Sequence, residues 1–242
     1  SGKNLSVRAE TMPLTGNLFS GRDMTLTIGS DLDNTSAADS FGNLHAGGNL
    51  TAEIQGSVSN QRNITAGEDL HLTATKNLTQ NETGTIYGKN LTLSAANLSN
   101  QGLMQADNAV EIKTTQLKND TAGRIYGDDV SVTATELRSD GKIISNGNTV
   151  LRADHISGSG TFGSGISPSG TANPDGSLTL DAKEIVQINA NILSGKDISL
   201  TADHIHTENT TIAGNRDVSV TAKHALSIEK SALQSGKNLS VR

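Results

Sequence analysis

Apolar residues along this chain fall in pairs two positions apart, and the pairs return at a nearly fixed interval. The leading members stand at Leu5, Met24, Leu50, Leu70, Leu91, Val110, Val130, Thr149, Leu178, Ile198, Val218 and Leu239, with Thr149 the one polar member. Most steps are 19 to 21 residues; two are longer, 26 from Met24 to Leu50 and 29 from Thr149 to Leu178. Two residues on come Val7, Leu26, Ala52, Leu72, Leu93, Ile112, Val132, Leu151, Leu180, Leu200, Val220 and Val241, all apolar. That spacing puts both members on one face of a strand, so the pattern predicts a strand with a buried face in every period.

Two further apolar columns share the period. One runs through Leu78, Leu98, Leu117, Leu137, Ile156, Ile185 and Ile205, the other through Leu18, Leu44, Ile64, Ile143, Ile192, Ile212 and Leu233. Three residues before each anchor only Gly, Asn or Asp occurs, from Gly2, Gly21 and Gly47 to Asn215 and Gly236. These types best tolerate a left-handed backbone, so each period is expected to turn a corner there. Three short strands per turn of about 20 residues describe one coil of a parallel β-helix, and about twelve coils at ~4.8 Å make a rod on the order of 55–60 Å long. One coil cannot bury its apolar face alone; stacking supplies a continuous core. The octapeptide SGKNLSVR stands at both 1–8 and 235–242 because both are the same station on the repeat. The chain opens and closes within that repeat, which predicts a segment of a longer rod. The reading is therefore all-β, a single β-helix over 1–242 with loop insertions near 33–42 and 157–177.

Composition supports a narrow aliphatic core. Only 2% of the residues are aromatic and there is no Trp, fewer than a globular core of this size normally uses. The net charge of −6 comes from 19 basic and 25 acidic residues intermixed, without the basic stripe that nucleic acid requires. The absence of Cys rules out disulfides and suits a chain exported unfolded.

Candidate chemistry is sparse. Glu136, His155, Glu184, His204 and His224 hold equivalent places in consecutive coils, expected about 4.8 Å apart, either as a catalytic or metal-binding ladder or as an outward column whose alternation keeps like charges apart. The second reading is preferred, because no third or fourth ligand follows at a defined spacing. A column directly before the anchors runs Asn4, Asp23, Asn49, Asp69, Asn90, Ala109, Asp129, Asn148, Ser177, Asp197, Asp217, Asn238. Its amides are expected to bond from coil to coil, and the adjacent Asp197 and Asp217 are read as open turn residues rather than a cation site. GxSxG, P-loop, HExxH and CxxC motifs are missing, and Arg124, Arg138, Arg152, Lys183, Lys196 and Arg216 are scattered rather than grouped with carboxylates as a polysaccharide lyase needs. No enzyme activity, catalytic residue, cofactor or metal is assigned. Phe19, Phe41, Phe162, Tyr87 and Tyr126 form no recognisable aromatic strip in the sequence. The Asn-x-Ser/Thr sequons, such as Asn90 and Asn97, follow from the turn-and-strand phrase itself. Both inserts are read as loops projecting from the rod.

The stretch LSNQGLMQADNAVEIKTTQLKNDTAGRIYGDDVSVTATELRSDGKIIS, residues 98–145, carries a further signal. Its rhythm of Leu-x-Asn ahead of a Gly, an apolar pair, Gly-x-Asp/Asn and Leu-x-Leu-x-Ala resembles the haemagglutinin repeats of the filamentous haemagglutinin family, and apart from the inserts the resemblance covers essentially the whole chain. It implies a right-handed β-helical stalk in a very large exoprotein of a Gram-negative bacterium, secreted through a dedicated outer-membrane partner and held at the cell surface. Such proteins are adhesins, which bind host-cell receptors or matrix, or contact-dependent inhibition proteins, which carry a toxin to a receptor on a neighbouring bacterium. A β-helical carbohydrate-binding or carbohydrate-active protein is the remaining alternative. The expected role is a monomeric, non-catalytic rod in an adhesin, with a surface receptor or glycan as partner and no nucleic acid.

Overall fold

The computed structural model describes residues 2–35, 40–167, 170 and 172–242. Within them thirty strands wind into a β-solenoid of about twelve turns, and no helix is present. The anchors pair in one unbroken parallel ladder: Leu5 with Met24, Met24 with Leu50, and so on through Val218 with Leu239. The second column pairs likewise from Met12 to Leu226 and the third from Leu18 to Leu233. Four long strands, Asn90–Asn100, Ala109–Asn119, Ile198–Glu208 and Val218–Glu229, run through the first and second faces without a break. These two faces therefore form one 19-stranded sheet, and the third is an 11-stranded sheet. Between them lies the core, where Leu26, Leu50, Leu72, Leu93, Ile112, Val132, Leu151 and Leu200 are at most 1% exposed. Burial comes from stacking: Leu239 and Val241, in the last coil, are 49% and 44% exposed.

The corners obey a different rule from the expected one. Left-handed backbone is not found in the Gly/Asn/Asp column; among the described non-glycine residues it occurs at the second corner, at Asn189, Asn209 and Lys230 in successive coils. What restricts the glycine column is proximity. A Cβ on Gly67 would lie 2.4 Å from the carbonyl oxygen of Gly47 one coil away, so glycine there lets consecutive coils close up. The second insertion is also shorter than 157–177. His155–Gly158 and Thr161–Ser164 are regular strands of the second and third faces, and Phe162 pairs with Ile143 and Ile192 in the third inner column. The extra length lies in 165–176, at the corner that follows the third face. The first insertion sits at the opposite edge of the same face, between Asn34 and Leu44; its residues 36–39 lie outside the described residues.

An interior polar column also runs through part of the rod, two positions after Leu32, Val58, Leu78, Leu98, Leu117 and Leu137: Asn34, Asn60, Gln80, Asn100, Asn119 and Ser139, all 0–2% exposed. Gln187 and Thr207 hold the same place further along, buried without a side-chain partner among the described residues. From Asn34 to Gln80 and from Asn100 to Ser139 the side chains bond to one another between coils. Asn34 donates to Asn60 at 2.6 Å, Asn60 to Gln80 at 2.7 Å, Asn100 to Asn119 at 2.8 Å and Asn119 to the Ser139 hydroxyl at 3.0 Å. Buried amides carry no desolvation penalty when paired in this way, and the chain of bonds fixes which coil stacks on which.

Candidate functional site

Alternation along a strand sends every second side chain outward, and the register stacks these into surface columns. Glu136, His155, Glu184 and His204 occupy one of them, in direct cross-strand register. The His155 Nδ1 lies 2.8 Å from Glu184, its Nε2 lies 3.8 Å from Glu136, and all three side chains are about half exposed. Beyond His204 the register shifts, so that its pairing partner is Ala225; the His224 ring nevertheless lies 5.6 Å from that of His204. The same surface holds Lys183 on Asp154 and Lys223 on Asp203. Among the described residues no group of three or more His, Cys, Asp or Glu is placed to hold a metal ion. The ladder is a set of exposed side-chain contacts between coils.

The column before the anchors bonds from coil to coil through backbone as well as amides. At most rungs the side-chain oxygen of the Asn or Asp accepts the backbone N–H of its neighbour in the next coil, as in Asp23 from Asn49 at 2.9 Å and Asp129 from Asn148 at 2.7 Å; Asp69 instead accepts from the Asn90 amide. Asp197 and Asp217 follow suit: Asp197 accepts from the Asp217 N–H at 3.1 Å, and Asp217 from Asn238. An acceptor oxygen is what the position requires, which explains why Asn and Asp interchange there.

At the second corner Asp140 accepts the Ser159 N–H and hydroxyl on one oxygen and the Arg138 guanidinium on the other. Partial burial pushes its carboxyl upward, and the bonds from Ser159 and Arg138 outweigh this and hold it below its ordinary value. A carboxylate depressed in the folded state stabilises the fold fully above its unfolded value of 3.8, and that contribution drains away as pH falls through the folded value. Asp140→Asn is therefore expected to lower stability at pH 7, and the gap from the parent chain should be narrower at pH 3. Urea denaturation at the two pH values measures it.

The third face carries an arrangement that sequence reasoning missed. Its outward column runs Phe19, His45, Thr65, Tyr87, Gln105, Tyr126, Ile144, Gly163, Leu193 in successive coils. Three of the five aromatic residues thus share one line, whereas Phe162 is in the core and Phe41 is exposed within the first insertion. Phe19 meets His45 edge-on, with ring centroids 6.2 Å apart. The Tyr87 hydroxyl donates to Asp107 at 2.7 Å, and that bond, with burial and the carboxylate charge, raises its pKa and keeps the phenol protonated. Beside it Gln105, Asp107, Tyr126, Asp128 and Asn146 line a shallow hollow. The column is closed beyond Tyr126, where Ile144 is only 8% exposed and the insertion's Ile166 reaches Gly163.

The family model described as haemagglutinin repeat matches residues 163–242. These residues, about a third of the chain, are similar to the haemagglutinin repeat. They include the coils with left-handed second corners at Asn189, Asn209 and Lys230. The text at 98–145 that carries the resemblance lies outside the matched residues, yet the haemagglutinin-repeat coils continue its ladders without a change of register on the first face. No curated protein and no solved structure matches the chain.

Proposed function

We propose that the chain is a non-catalytic stalk segment of a large surface adhesin of the filamentous haemagglutinin type, exported from a Gram-negative bacterium through an outer-membrane partner. Haemagglutinin repeats and a β-solenoid fit such a segment. The observation that carries the reading is the unbroken anchor ladder: twelve stations in one register, with both insertions confined to corners, make the fold a device for adding length. Several surface charges pair between coils, as Lys89 does with Glu68, Lys183 with Asp154 and Lys223 with Asp203.

The test offers the purified chain to epithelial cells, to Gram-negative cells and to a panel of polysaccharides. The stalk-of-an-adhesin reading expects no reducing ends released from any polysaccharide, and no saturable binding confined to bacterial cells. Release of reducing ends would make it an enzyme. Saturable binding to bacteria alone would make it part of a toxin-delivery protein.

A further inference from the structure

We propose that the outer surface of the third face between Tyr87 and Tyr126 binds an extended, uncharged β-1,4-linked glycan chain lying along the rod. The inference goes beyond the stalk reading and holds whichever surface protein the rod belongs to. Tyr87 and Tyr126 stand two rungs apart in the outward column with Gln105 between them. Two rungs span ~9.6 Å. That is close to the length of two consecutive rings of an extended β-1,4-linked pyranose chain, in which every second sugar presents the same face. Both phenol rings therefore meet equivalent sugar faces at once, a match a coiled α-linked chain does not offer.

The strip is set before any ligand arrives. Its side chains stand on paired strands, and the hydrogen bond to Asp107 fixes the Tyr87 ring. Sugar hydroxyls need acceptors and donors together, and both are at hand: the Asp107 and Asp128 carboxylates, and the amides of Gln105 and Asn146, line the hollow. Arg124 lies exposed on the same strand as Tyr126, two positions earlier and on the same side. Two carboxylates beside the rings disfavour a sulfated or uronic chain. Ile144, covered near Ile166, ends the strip at one side, and toward Thr65 and His45 the column stays open.

The chain reports on its own strip. It has no Trp and only two Tyr, and both are Tyr87 and Tyr126, so tyrosine emission reads the site directly. The full 242-residue chain is titrated with cellohexaose, with maltohexaose and with a heparin-derived hexasaccharide, following tyrosine emission and heat. Cellohexaose is expected to bind and shift the emission, with the other two at least tenfold weaker. Tyr87→Ala and Tyr126→Ala are each expected to weaken cellohexaose at least tenfold, and Tyr126→Phe to retain most of the affinity, with circular dichroism unchanged throughout. Absence of cellohexaose binding at millimolar concentration overturns the proposal. So does equal or tighter binding of either control, or affinity that survives both alanine variants. None of these results bears on the cell-binding test, so the two readings fail separately.

Discussion

Phe162→Ala is expected to lower the unfolding free energy by about 3–5 kcal/mol, the range for emptying a buried phenylalanine site. Phe162 is the largest fully buried side chain of the rod, at 0% exposure, and it stands between Ile143 and Ile192 in the third inner column. Its coil is short of side chains able to fill the space it leaves, since Gly158, Gly160, Gly163 and Gly165 surround it in sequence. The cavity should therefore remain open, placing the cost toward the upper end. Phe162→Leu, which keeps most of the apolar volume, should recover the larger part. Urea denaturation followed by circular dichroism measures both. A loss under about 1 kcal/mol for the alanine variant would mean that 157–164 is part of a projecting loop after all, because exposed positions seldom cost more than ~0.5 kcal/mol.

Much of the architecture was legible because the physics that builds a coil repeats with the coil. A Leu or Val at each anchor and another two positions on encode a strand face regardless of which coil they occupy, and all twelve anchors found in the sequence pair as expected. Phe162 was assigned to an insert because its neighbours are Gly and Ser, the composition of a loop; its membership of the third column shows only once its partners are known. Corner glycines suggest a left-handed backbone in the sequence, whereas the constraint at Gly67 is the carbonyl of another coil, which no local pattern contains.

The interior column hid for a related reason. Asn100 and Asn119 belong to a Leu-x-Asn phrase that reads as a strand ending in a turn, yet both are fully buried and bonded to each other. A polar residue two after Leu32, Val58, Leu78 and Leu137 as well is the available signal, since it shares the face of the buried residue. Surface columns were harder still. The charge ladder from Glu136 to His204 was visible because its members fall on a regular run of coils. Tyr87 and Tyr126 are separated by 39 residues and Phe19 and Tyr87 by 68, spacings that mean nothing until the unequal coil lengths between them are counted out. Register turns scattered residues into a line.

The whole coil is the unit of this fold, and inserting one puts that to the test. Val110 pairs with Val130, so residues 110–129 are one complete coil of 20 residues. Duplicated in place, this coil would stack on itself with Asn119 beside its own copy in the interior column, as Asn100 now lies beside Asn119. Duplicating only 110–119 instead sets every later residue half a coil out of phase, turning apolar columns toward solvent. The account predicts that the whole-coil variant unfolds in one transition, with a midpoint in urea no lower than the parent's and a larger m-value from the added buried surface. The half-coil variant, in the same experiment, should lose the cooperative transition. Equal damage from the two insertions would contradict the claim.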